Sequence, residues 1–538
     1  MQRRAFLKTA AGAVAGAQLW RARAFAAPAQ AASAEVTVLL NEPIATISPA
    51  IYGHFTEHLG GVIYGGVWVG ENSKVPNLGG IRRELVEKLK AIHAPVIRWP
   101  GGCFADSYDW RDGVGPRARR PRRTNFWVDD AQARALHNSP QQFDPNTFGT
   151  SEFVRFCQLA GAEPYLAANV RSLPALEFDH WVEYCNAPQG SSSYADLRAA
   201  DGSPAPYGVR LWGIGNESWG CGGNFTPEEY AAEYRRFTSW IPRYGVRLQL
   251  VASGPNADDV DWTTRFFENI LGRRGVAPPF GWSVHNYTFE RDALAFDPDD
   301  YYATLRQAFT TEKVILDHWT AMGVYDTRRR VRLVVDEYGD WYHAGTAVDP
   351  SHIFGQQITM RDALSTALTL DTFNRHADKV ALAASAQLIN CINALFLAHE
   401  DQFVATPNYD VFALYAAHQG ATAVRTEFAA PAAPGDAKLW GLNGSASYTT
   451  TPAGRQVTVT LVQPRLDQPL ELRITLPGSS VRAAEARVLA AADVHAHNTF
   501  AAPHTVAART AAVQMDGASA RYLAPAASVS RITLTLGA

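Results

Sequence analysis

The sequence predicts an α/β fold, in which a (β/α)8 TIM barrel is followed by a C-terminal β-sandwich. Short apolar runs alternate with longer amphipathic stretches from about residue 48 to about residue 400, a pattern typical of strands joined by helices. After about residue 405 the helical spacing ends, and apolar residues alternate with polar ones. The count of eight apolar runs favours a closed barrel over the competing fold, a doubly wound open sheet.

The barrel prediction rests on eight runs of the strand type. In chain order they are IYGHF, PVIRWP, PYLAANV, VRLWGIG, VRLQLVAS, GWSVHNY, VRLVVDE and VALAASAQL. Between the first two runs, the stretch IRRELVEKLKAIH carries apolar residues at helical spacing, namely Ile81, Leu85, Leu89 and Ile92. No G-x-G-x-x-G loop follows the first run, which disfavours a nucleotide-binding sheet.

The C-terminal part of the chain is predicted to be all β. Its segments VTVTL, LELRITL and ITLTL alternate apolar and polar residues with a period of two. We therefore expect the barrel over residues 49–405 and a jelly-roll-like β-sandwich over residues 406–538. The early segment EVTVLL, within residues 33–48, lies outside the barrel pattern and is expected to add a strand to the sandwich.

The N-terminus has the pattern of an export signal. MQRRAFLKTAAGAVAGAQLW combines the twin pair Arg3 and Arg4 with a short Ala/Gly-rich apolar segment, and small-residue cleavage patterns follow. The segment is shorter than the roughly 20 residues that a membrane span needs. Residues 1–32 are therefore predicted to be a twin-arginine export signal without a membrane anchor, and the protein to be periplasmic or secreted. The alternative is a disordered Ala-rich tail.

Charge and cysteine content exclude several classes of partner and site. Charged residues make up 19% of the 538 residues and nearly balance at a net charge of −3, so nucleic acid is not an expected partner. The basic run RARRPRR is interpreted as a solvated loop. Five scattered cysteines without C-x-x-C spacing predict neither a metal site nor a dense disulfide framework, and an odd count leaves at least one thiol free or paired between chains.

Polar residues follow most of the predicted strands, where the loops of a (β/α)8 barrel meet. In chain order they are His54 and Glu57, then Arg98, Cys103 and Asp106, then Asn216 and Glu217, then His285, Asn286 and Tyr287, then Asp336 and Glu337, and finally Gln387. A glutamate at the end of a buried strand is unfavourable unless it is paired, hydrogen-bonded or used. Glu217 and Glu337 each have the alternative of an ion pair or a helix cap. Together they suit glycoside hydrolysis, which needs two carboxyl groups around one bond.

Four segments then resemble a known family. IYGHFTEHLGGVIYGG, RWPGGCFADSYDWRDGVGP, WGIGNESWGCGG and VVDEYGDWYH are similar, in this order, to glycoside hydrolase family 51, the α-L-arabinofuranosidases. The resemblance covers roughly residues 36–538. It implies a retaining, exo-acting enzyme in which Glu217 is the general acid/base and Glu337 the nucleophile. It also implies that the sugar is held by Glu57, Cys103, Asn216, Tyr287 and Gln387.

The resemblance further implies the substrate, the assembly and the cofactor requirement. The expected substrates are terminal α-L-arabinofuranosyl residues of arabinan, arabinoxylan or their oligosaccharides, the expected assembly is a homo-oligomer, and no metal or organic cofactor is implied. One departure concerns the residue after the nucleophile, which is Trp in many members and Tyr338 here. Trp341 and Tyr342 follow closely, so we expect the aromatic wall to be displaced rather than lost. The departure bears on leaving-group preference and not on the catalytic pair.

Each binding residue has a structural alternative. Asn216 is expected to bind the sugar 2-hydroxyl, although it could cap a turn. Cys103 is expected to place a thiol against the sugar edge, although it could be a buried filler. Glu57 is expected to accept two sugar hydroxyls beside the flexible Gly60-Gly61 pair, although it could form an ion pair with Arg98.

The remaining site residues and two other function classes complete the expectations. His285 and Tyr287 are expected at the sugar site or as groups that orient Glu337. Gln387 could instead be a polar strand end. The alternative functions are a retaining β-xylosidase or β-glucanase on the same two-glutamate barrel, and a non-catalytic carbohydrate-binding protein.

Overall fold

The computed structural model describes residues 32–131, 142–272, 278–289, 291–433, 441–452 and 454–537. These residues belong to one compact unit, Ala32–Ala538. The predicted export segment therefore lies, apart from residue 32, outside the described residues.

All eight predicted apolar runs contribute a strand to a closed parallel barrel. In chain order the barrel strands are Gly53–Phe55, Val96–Trp99, Glu163–Ala168, Leu211–Ile214, Gln249–Ala252, Gly281–Thr288, Arg332–Asp340 and Val380–Ser385. Each strand pairs in parallel with the next, and the eighth pairs with the first. All eight carboxyl ends therefore open on the same side of the barrel.

Helices surround the barrel. The α-helices of the described residues are Arg83–Ala91, Thr150–Ala160, Ala175–Asn186, Ser193–Ala200, Pro227–Thr238, Val260–Leu271, Pro298–Gly323, Met360–Arg375 and Pro407–Tyr415. The first buries Leu85 and Leu89, as the helical spacing predicts. Pro227–Thr238 begins with the capping box of Thr226 and Glu229, whose side chains accept each other's backbone N–H.

Short elements complete the loops around the barrel. Single 3-10 turns are Pro49–Tyr52, Ala105–Ser107, Trp110–Gly113, Arg117–Arg119, Phe126–Asp129 and Ala416–His418. Two-stranded pairs join Asn77–Leu78 to Ile81–Arg82, Arg123–Thr124 to Phe143–Asp144, and Phe396–His399 to Gln402–Ala405.

Ten strands form a second, continuous sheet that makes the C-terminal β-sandwich. Their order across the sheet is Arg509–Ala511, Val481–Ala490, Ser528–Leu536, Gly454–Gln463, Asn443–Thr451, Thr422–Ala429, Ala32–Thr46, Leu470–Thr475, Ser519–Ala524 and Val513–Asp516. Ala32–Thr46 pairs antiparallel with Thr422–Ala429 and parallel with Leu470–Thr475. The apolar faces of these strands enclose a core of their own.

One sandwich strand is buried on both faces, which the alternating pattern did not predict. In Gly454–Gln463, Val457 and Val459 face the sandwich core, and Thr460 on the opposite face is also fully buried. The hydroxyl of Thr460 donates to Asp371 of the helix Met360–Arg375 at 2.6 Å. The polar face is therefore the contact between sandwich and barrel.

The basic run is part of a network of ion pairs. Arg117 pairs with Glu71 and Glu152, and Arg120 also pairs with Glu152. Arg119, Arg122 and Arg123 are exposed, as expected of a solvated loop, whereas the side chain of Arg120 is only 3% exposed and is held by its ion pair.

Candidate active site

The carboxyl ends of the barrel strands surround a pocket of about 280 Å³. All eight predicted site residues line this pocket: Glu57, Cys103, Asn216, Glu217, His285, Tyr287, Glu337 and Gln387. They come from six different strand ends, separated by up to 330 residues in sequence, as between Glu57 and Gln387. The structure therefore places the predicted residues together, and their individual roles stay predictions.

Glu337 is held through both of its carboxylate oxygens. Arg98 donates from Nη1 to Oε1 at 2.7 Å, and the hydroxyl of Tyr287 donates to Oε2 at 2.8 Å. Burial alone would lower the pKa of the Arg98 guanidinium, but the charges of Asp336 and Glu337 raise it above its ordinary value. Arg98 is therefore a permanent cation, and it forms an ion pair with Glu337.

Glu217 lies nearer the opening of the pocket. Its side chain is 20% exposed, compared with 7% for Glu337. Its backbone φ is +40°, in the left-handed region that non-glycine residues rarely adopt. Such a conformation costs roughly 1–3 kcal/mol and is typical of functional sites. It turns the carboxylate toward His285, whose Nδ1 lies 2.9 Å from Oε1 of Glu217.

His285 lies between three carboxylates. Its Nδ1 is also 3.5 Å from Oε2 of Glu337, and its Nε2 is 3.3 Å from Oδ1 of Asp336. Burial would lower the pKa of this imidazole, but the negative charge of Glu337 and hydrogen bonds to Asp336 and Glu217 raise it to about 10. Burial would likewise raise the pKa of Asp336, whereas the charge of Arg98 and the contact with His285 hold it below its ordinary value. His285 is therefore an imidazolium at neutral pH.

Asn216 is fixed from two sides. Nη2 of Arg98 donates to its side-chain oxygen at 2.6 Å, and its backbone N–H donates to Oδ2 of Asp106 at 2.9 Å. Asp106 also accepts from the backbone of Val170 and Arg171. Because Arg98 occupies the amide oxygen, the donor left on the Asn216 side chain is its NH₂ group, whose nitrogen lies 4.0 Å from Sγ of Cys221.

Glu57 is buried and binds Gln387 rather than Arg98. Its oxygens accept from the backbone N–H of Phe104 at 3.0 Å and from Nε2 of Gln387 at 3.1 Å. Burial, together with the charge of Glu337, raises the pKa of Glu57 to about 8. Oε1 of Gln387 is buried and has no hydrogen-bond partner among the described residues. The pair therefore offers both a donor and an acceptor to a sugar.

Gly102 is the glycine whose missing side chain leaves space beside Glu337, and the sequence analysis did not predict it. A Cβ on Gly102 would lie 2.8 Å from Oε1 of Glu337 and 3.5 Å from Oε2 of Glu57. The Gly60-Gly61 pair, predicted to admit ligand, instead lies against protein, since a Cβ there would clash with Ile353 and His352. The Gly-Gly-Cys turn after the second strand was the available signal.

Cys103 is paired with Cys221 in a disulfide. The expectation that Cys103 places a free thiol against the sugar edge is therefore wrong. The two cysteines lie 118 residues apart in sequence, and only the convergence of the second and fourth strands brings them together. The three other cysteines, Cys157, Cys185 and Cys391, are free and buried.

Aromatic side chains wall the pocket around these polar groups. They are Trp127, Trp219, Phe289, Trp341 and Phe354. Trp341 contacts Phe354 edge to face at 5.2 Å between ring centroids. Tyr338 points to the other side of its strand and packs edge to face on Phe373 of a covering helix. Strand alternation therefore removes Tyr338 from the pocket, and Trp341 supplies the wall, as expected. Trp110 is core, stacked on Trp181.

Comparison with protein families supports what this geometry indicates. The description "Alpha-L-arabinofuranosidase 1 domain" matches residues 88–292, and "Alpha-L-arabinofuranosidase C-terminal domain" matches residues 336–528. An intracellular exo-alpha-L-arabinofuranosidase of Bacteroides ovatus is 35% identical over 485 residues, which cover 88% of this chain and 90% of the relative. An intracellular exo-alpha-(1->5)-L-arabinofuranosidase of Acetivibrio thermocellus is 30% identical and covers 67% of this chain and 70% of its own length.

These names contradict the predicted export signal. Both relatives are called intracellular, so the prediction of a twin-arginine signal and of a periplasmic or secreted location is wrong. The signal pattern is short and depends on composition rather than on a fold, so an Arg pair before an Ala-rich stretch is weakly specific. Among the described residues, no helix combines the length and the apolar character needed to cross a membrane.

Solved structures give the same result for the whole described chain. The crystal structure of the arabinofuranosidase of glycoside hydrolase family 51 from Xanthomonas axonopodis pv. citri has a TM-score of 0.87 at 35% identity, and covers 94% of this chain and 100% of that chain. An arabinose complex of the alpha-L-arabinofuranosidase from Thermotoga maritima has a TM-score of 0.80 at 29% identity, with coverage of 94% and 100%. This chain is a glycoside hydrolase and belongs to family 51, the α-L-arabinofuranosidases.

Proposed function

We propose that this enzyme removes terminal non-reducing α-L-arabinofuranosyl residues from arabinan, arabinoxylan or their oligosaccharides with retention of anomeric configuration. The observation that carries the proposal is the spacing of the two glutamates. One oxygen of Glu217, one nitrogen of His285 and one oxygen of Glu337 lie within 4.8 Å of one another. Retaining glycosidases keep their carboxyl groups about 5–5.5 Å apart, whereas inverting enzymes need about 6.5–9.5 Å for a water molecule.

In the first step, Glu337 is the nucleophile. Arg98 and Tyr287 hold its two oxygens in place, so that it can attack the anomeric carbon and form a covalent arabinosyl-enzyme. Glu217 donates a proton to the departing oxygen. Its greater exposure at the pocket opening supports this role, because the leaving group must extend out of the pocket.

In the second step, Glu217 accepts a proton from water, and the water attacks the arabinosyl-enzyme from the side that the leaving group has vacated. The ester bond to Glu337 breaks, and the carboxylate is again paired with Arg98. The positive charge that develops at the anomeric carbon strengthens a hydrogen bond from Asn216 to the sugar 2-hydroxyl. The chemistry needs only side chains of this chain.

The shape of the pocket supports action on chain ends. Its volume of about 280 Å³ is just below the usual range of ligand pockets, about 300–1,000 Å³. Aromatic side chains line its sides, and a small walled pocket favours a single terminal residue over an internal one. The names of the Bacteroides and Acetivibrio relatives also describe exo-acting enzymes. From the family resemblance, we keep the proposal of a homo-oligomer.

The test combines substrate choice with rescue of Glu217→Ala. Wild-type enzyme should release the aryl group from an aryl α-L-arabinofuranoside and not from the matching β-xyloside or β-glucoside. Glu217→Ala should still form the arabinosyl-enzyme from a substrate with an acidic leaving group, but hydrolyse it about 10²–10⁴-fold more slowly. Azide needs no base, so it should restore turnover and give the arabinosyl azide with the configuration of the substrate.

The control is Glu228→Ala, which removes an exposed glutamate paired with Arg265 and should behave as wild type. Full activity of Glu217→Ala on natural polysaccharide would contradict the assigned acid/base. Preference for a xyloside or glucoside would mean that the assigned substrate is wrong, and would leave the two-glutamate mechanism unchanged. Sugar binding without hydrolysis of the arabinofuranoside, the xyloside or the glucoside would indicate a non-catalytic binding protein.

A further inference from the structure

The disulfide of Cys103 and Cys221 lies directly against the acid/base residue. Sγ of Cys221 is 3.6 Å and Sγ of Cys103 is 4.0 Å from Oε2 of Glu217. Both cysteines are partly exposed, whereas Cys157 and Cys185 are fully buried in the core. Two sulfur atoms and a carboxylate oxygen thus lie close together beside the pocket, which Cys103 and Glu217 line.

We propose that reduction of this disulfide creates a binding site for a soft divalent cation such as Zn²⁺, formed by the thiolates of Cys103 and Cys221 and the carboxylate of Glu217, and that the bound cation inhibits the enzyme. Catalysis does not need this cation, because the oxidised enzyme carries out the proposed reaction with side chains alone.

The spacing of the three ligand atoms fits tetrahedral zinc. Zinc binds thiolate sulfur at about 2.3 Å and carboxylate oxygen at about 2.0–2.2 Å, which puts neighbouring sulfur and oxygen ligands about 3.5 Å apart. The separations of 3.6 and 4.0 Å are close to this value. The two sulfur atoms must separate to about 3.8 Å in the same geometry, and cleavage of the bond between them permits this. Water can complete the four ligands.

Reduction needs a dithiol that reaches these two partly exposed cysteines. A thiolate of the reductant attacks one sulfur, the other leaves as a thiolate, and the second thiol of the reductant resolves the mixed disulfide. Two electrons and two protons pass from the dithiol to Cys103 and Cys221, and the reductant becomes a disulfide. Binding of the cation then releases the two thiol protons. Reducing compartments keep such thiols reduced.

A second cluster near the same atoms could also bind a cation. Glu217, His285 and Glu337 each offer one ligand atom within 4.8 Å of the others. This cluster contains no sulfur and needs no reduction, so experiment can tell the two sites apart.

A cation on Glu217 would inhibit both chemical steps. The cation would occupy the lone pairs of the Glu217 carboxylate. Glu217 could then neither hold the proton for the leaving group nor accept one from water. Loss of general acid–base catalysis predicts a fall in turnover of about 10²-fold or more when the site is filled. This consequence rests on the proposed role of Glu217, whereas cation binding does not.

The experiment uses Co²⁺ as the probe, because cobalt–thiolate bonds absorb light. The full-length enzyme is treated with dithiothreitol, freed of reductant by anaerobic gel filtration, and its thiols are counted after denaturation. The thiol count should rise from three to five, as expected from the three free cysteines and the five in the sequence. Reduced enzyme should then bind one Co²⁺, show thiolate-to-cobalt charge transfer and tetrahedral d–d bands, and lose activity until a chelator is added.

Matched variants identify the ligands. Cys103→Ser and Cys221→Ser should each lose the charge-transfer band, whereas Cys157→Ala, which removes a core thiol away from the pocket, should keep both the band and the inhibition. A thiol count that stays at three in folded enzyme overturns the proposal. Cobalt binding without a charge-transfer band would also overturn the proposal. Cobalt binding that both serine variants retain would overturn it as well, and would indicate the cluster of Glu217, His285 and Glu337. Full activity of the enzyme with bound cobalt would contradict the proposal that the cation inhibits it. Failure of untreated enzyme to release arabinose would instead contradict the proposed function.

Discussion

Arg98 and Glu337 form a buried ion pair, with 2.7 Å between Nη1 and Oε1 and at most 7% exposure of either side chain. The same guanidinium donates to Asn216 at 2.6 Å, so one residue orients both the proposed nucleophile and the proposed partner of the sugar 2-hydroxyl. The ring of Phe55, 4.6 Å from the guanidinium carbon, holds its plane. The second barrel strand thus supplies the residue on which the geometry of the site depends.

Replacing Arg98 by lysine should lower kcat by about 10²-fold, because a single ammonium group cannot donate to Glu337 and Asn216 at once. Steady-state kinetics on an aryl arabinofuranoside measure this, and thermal unfolding checks that the variant is folded. Arg210→Lys, at an exposed pair with Glu163, is the control and should stay near wild type. A kcat within twofold of wild type for Arg98→Lys would show that the charge alone suffices.

Replacing Asn216 by alanine should lower kcat more than it raises KM, because the contact to the 2-hydroxyl strengthens as the transition state forms. The check is a comparison of kcat and KM for an arabinofuranoside and its 2-deoxy analogue. On the analogue, wild type and variant should differ far less. A change in KM alone would mean that Asn216 only positions the ground state.

Replacing His285 by glutamine should make the difference in stability between wild type and variant depend on pH. The pKa of His285 is raised from its ordinary value of 6.5 to about 10, so its stabilising contribution is fully present below pH 6.5 and is lost as pH rises through about 10. Urea unfolding at pH 6 and pH 10.5 should therefore show a larger loss of stability in the variant at pH 6. An equal loss at both values would contradict an imidazolium between the three carboxylates.

Replacing Glu57 by glutamine should improve relative stability at high pH. Burial raises the pKa of this carboxyl group from 4.5 to about 8, so its contribution is present below pH 4.5 and is lost as pH rises through about 8. The Tm of the variant relative to wild type should therefore be higher at pH 9 than at pH 5, while KM rises through the changed sugar contact. Glu71→Gln, an exposed partner of Arg117, should show a much smaller pH-dependent difference. A Tm difference that does not change with pH would indicate that Glu57 is ionised throughout.

The fold and the polar ring could be predicted from sequence because both depend on local patterns. Apolar runs ending in polar residues mark barrel strands, and the carboxyl ends of parallel strands must meet. Glu217 and Glu337, 120 residues apart, were therefore expected in one pocket, where the structure places them.

Features that depend on side-chain packing between distant loops could not be predicted. The bond between Cys103 and Cys221 requires two loops to approach at 5.5 Å between Cα atoms, which no spacing in the sequence encodes. The wall residues Trp127 and Phe354 come from a single 3-10 turn and a loop, neither of which has a periodic apolar pattern. The raised pKa of His285 depends on three carboxylates from two strand ends, Glu217 after the fourth strand and Asp336 and Glu337 in the seventh.

The most direct test of the two-glutamate account is the anomeric configuration of the first product. Proton NMR can follow hydrolysis of an aryl α-L-arabinofuranoside from the start, before the released sugar equilibrates. Attack by Glu337 followed by attack of water predicts that α-L-arabinofuranose appears first, and that Glu337→Ala with azide yields the β-arabinosyl azide. Initial appearance of β-L-arabinofuranose from wild-type enzyme would contradict the covalent intermediate on Glu337.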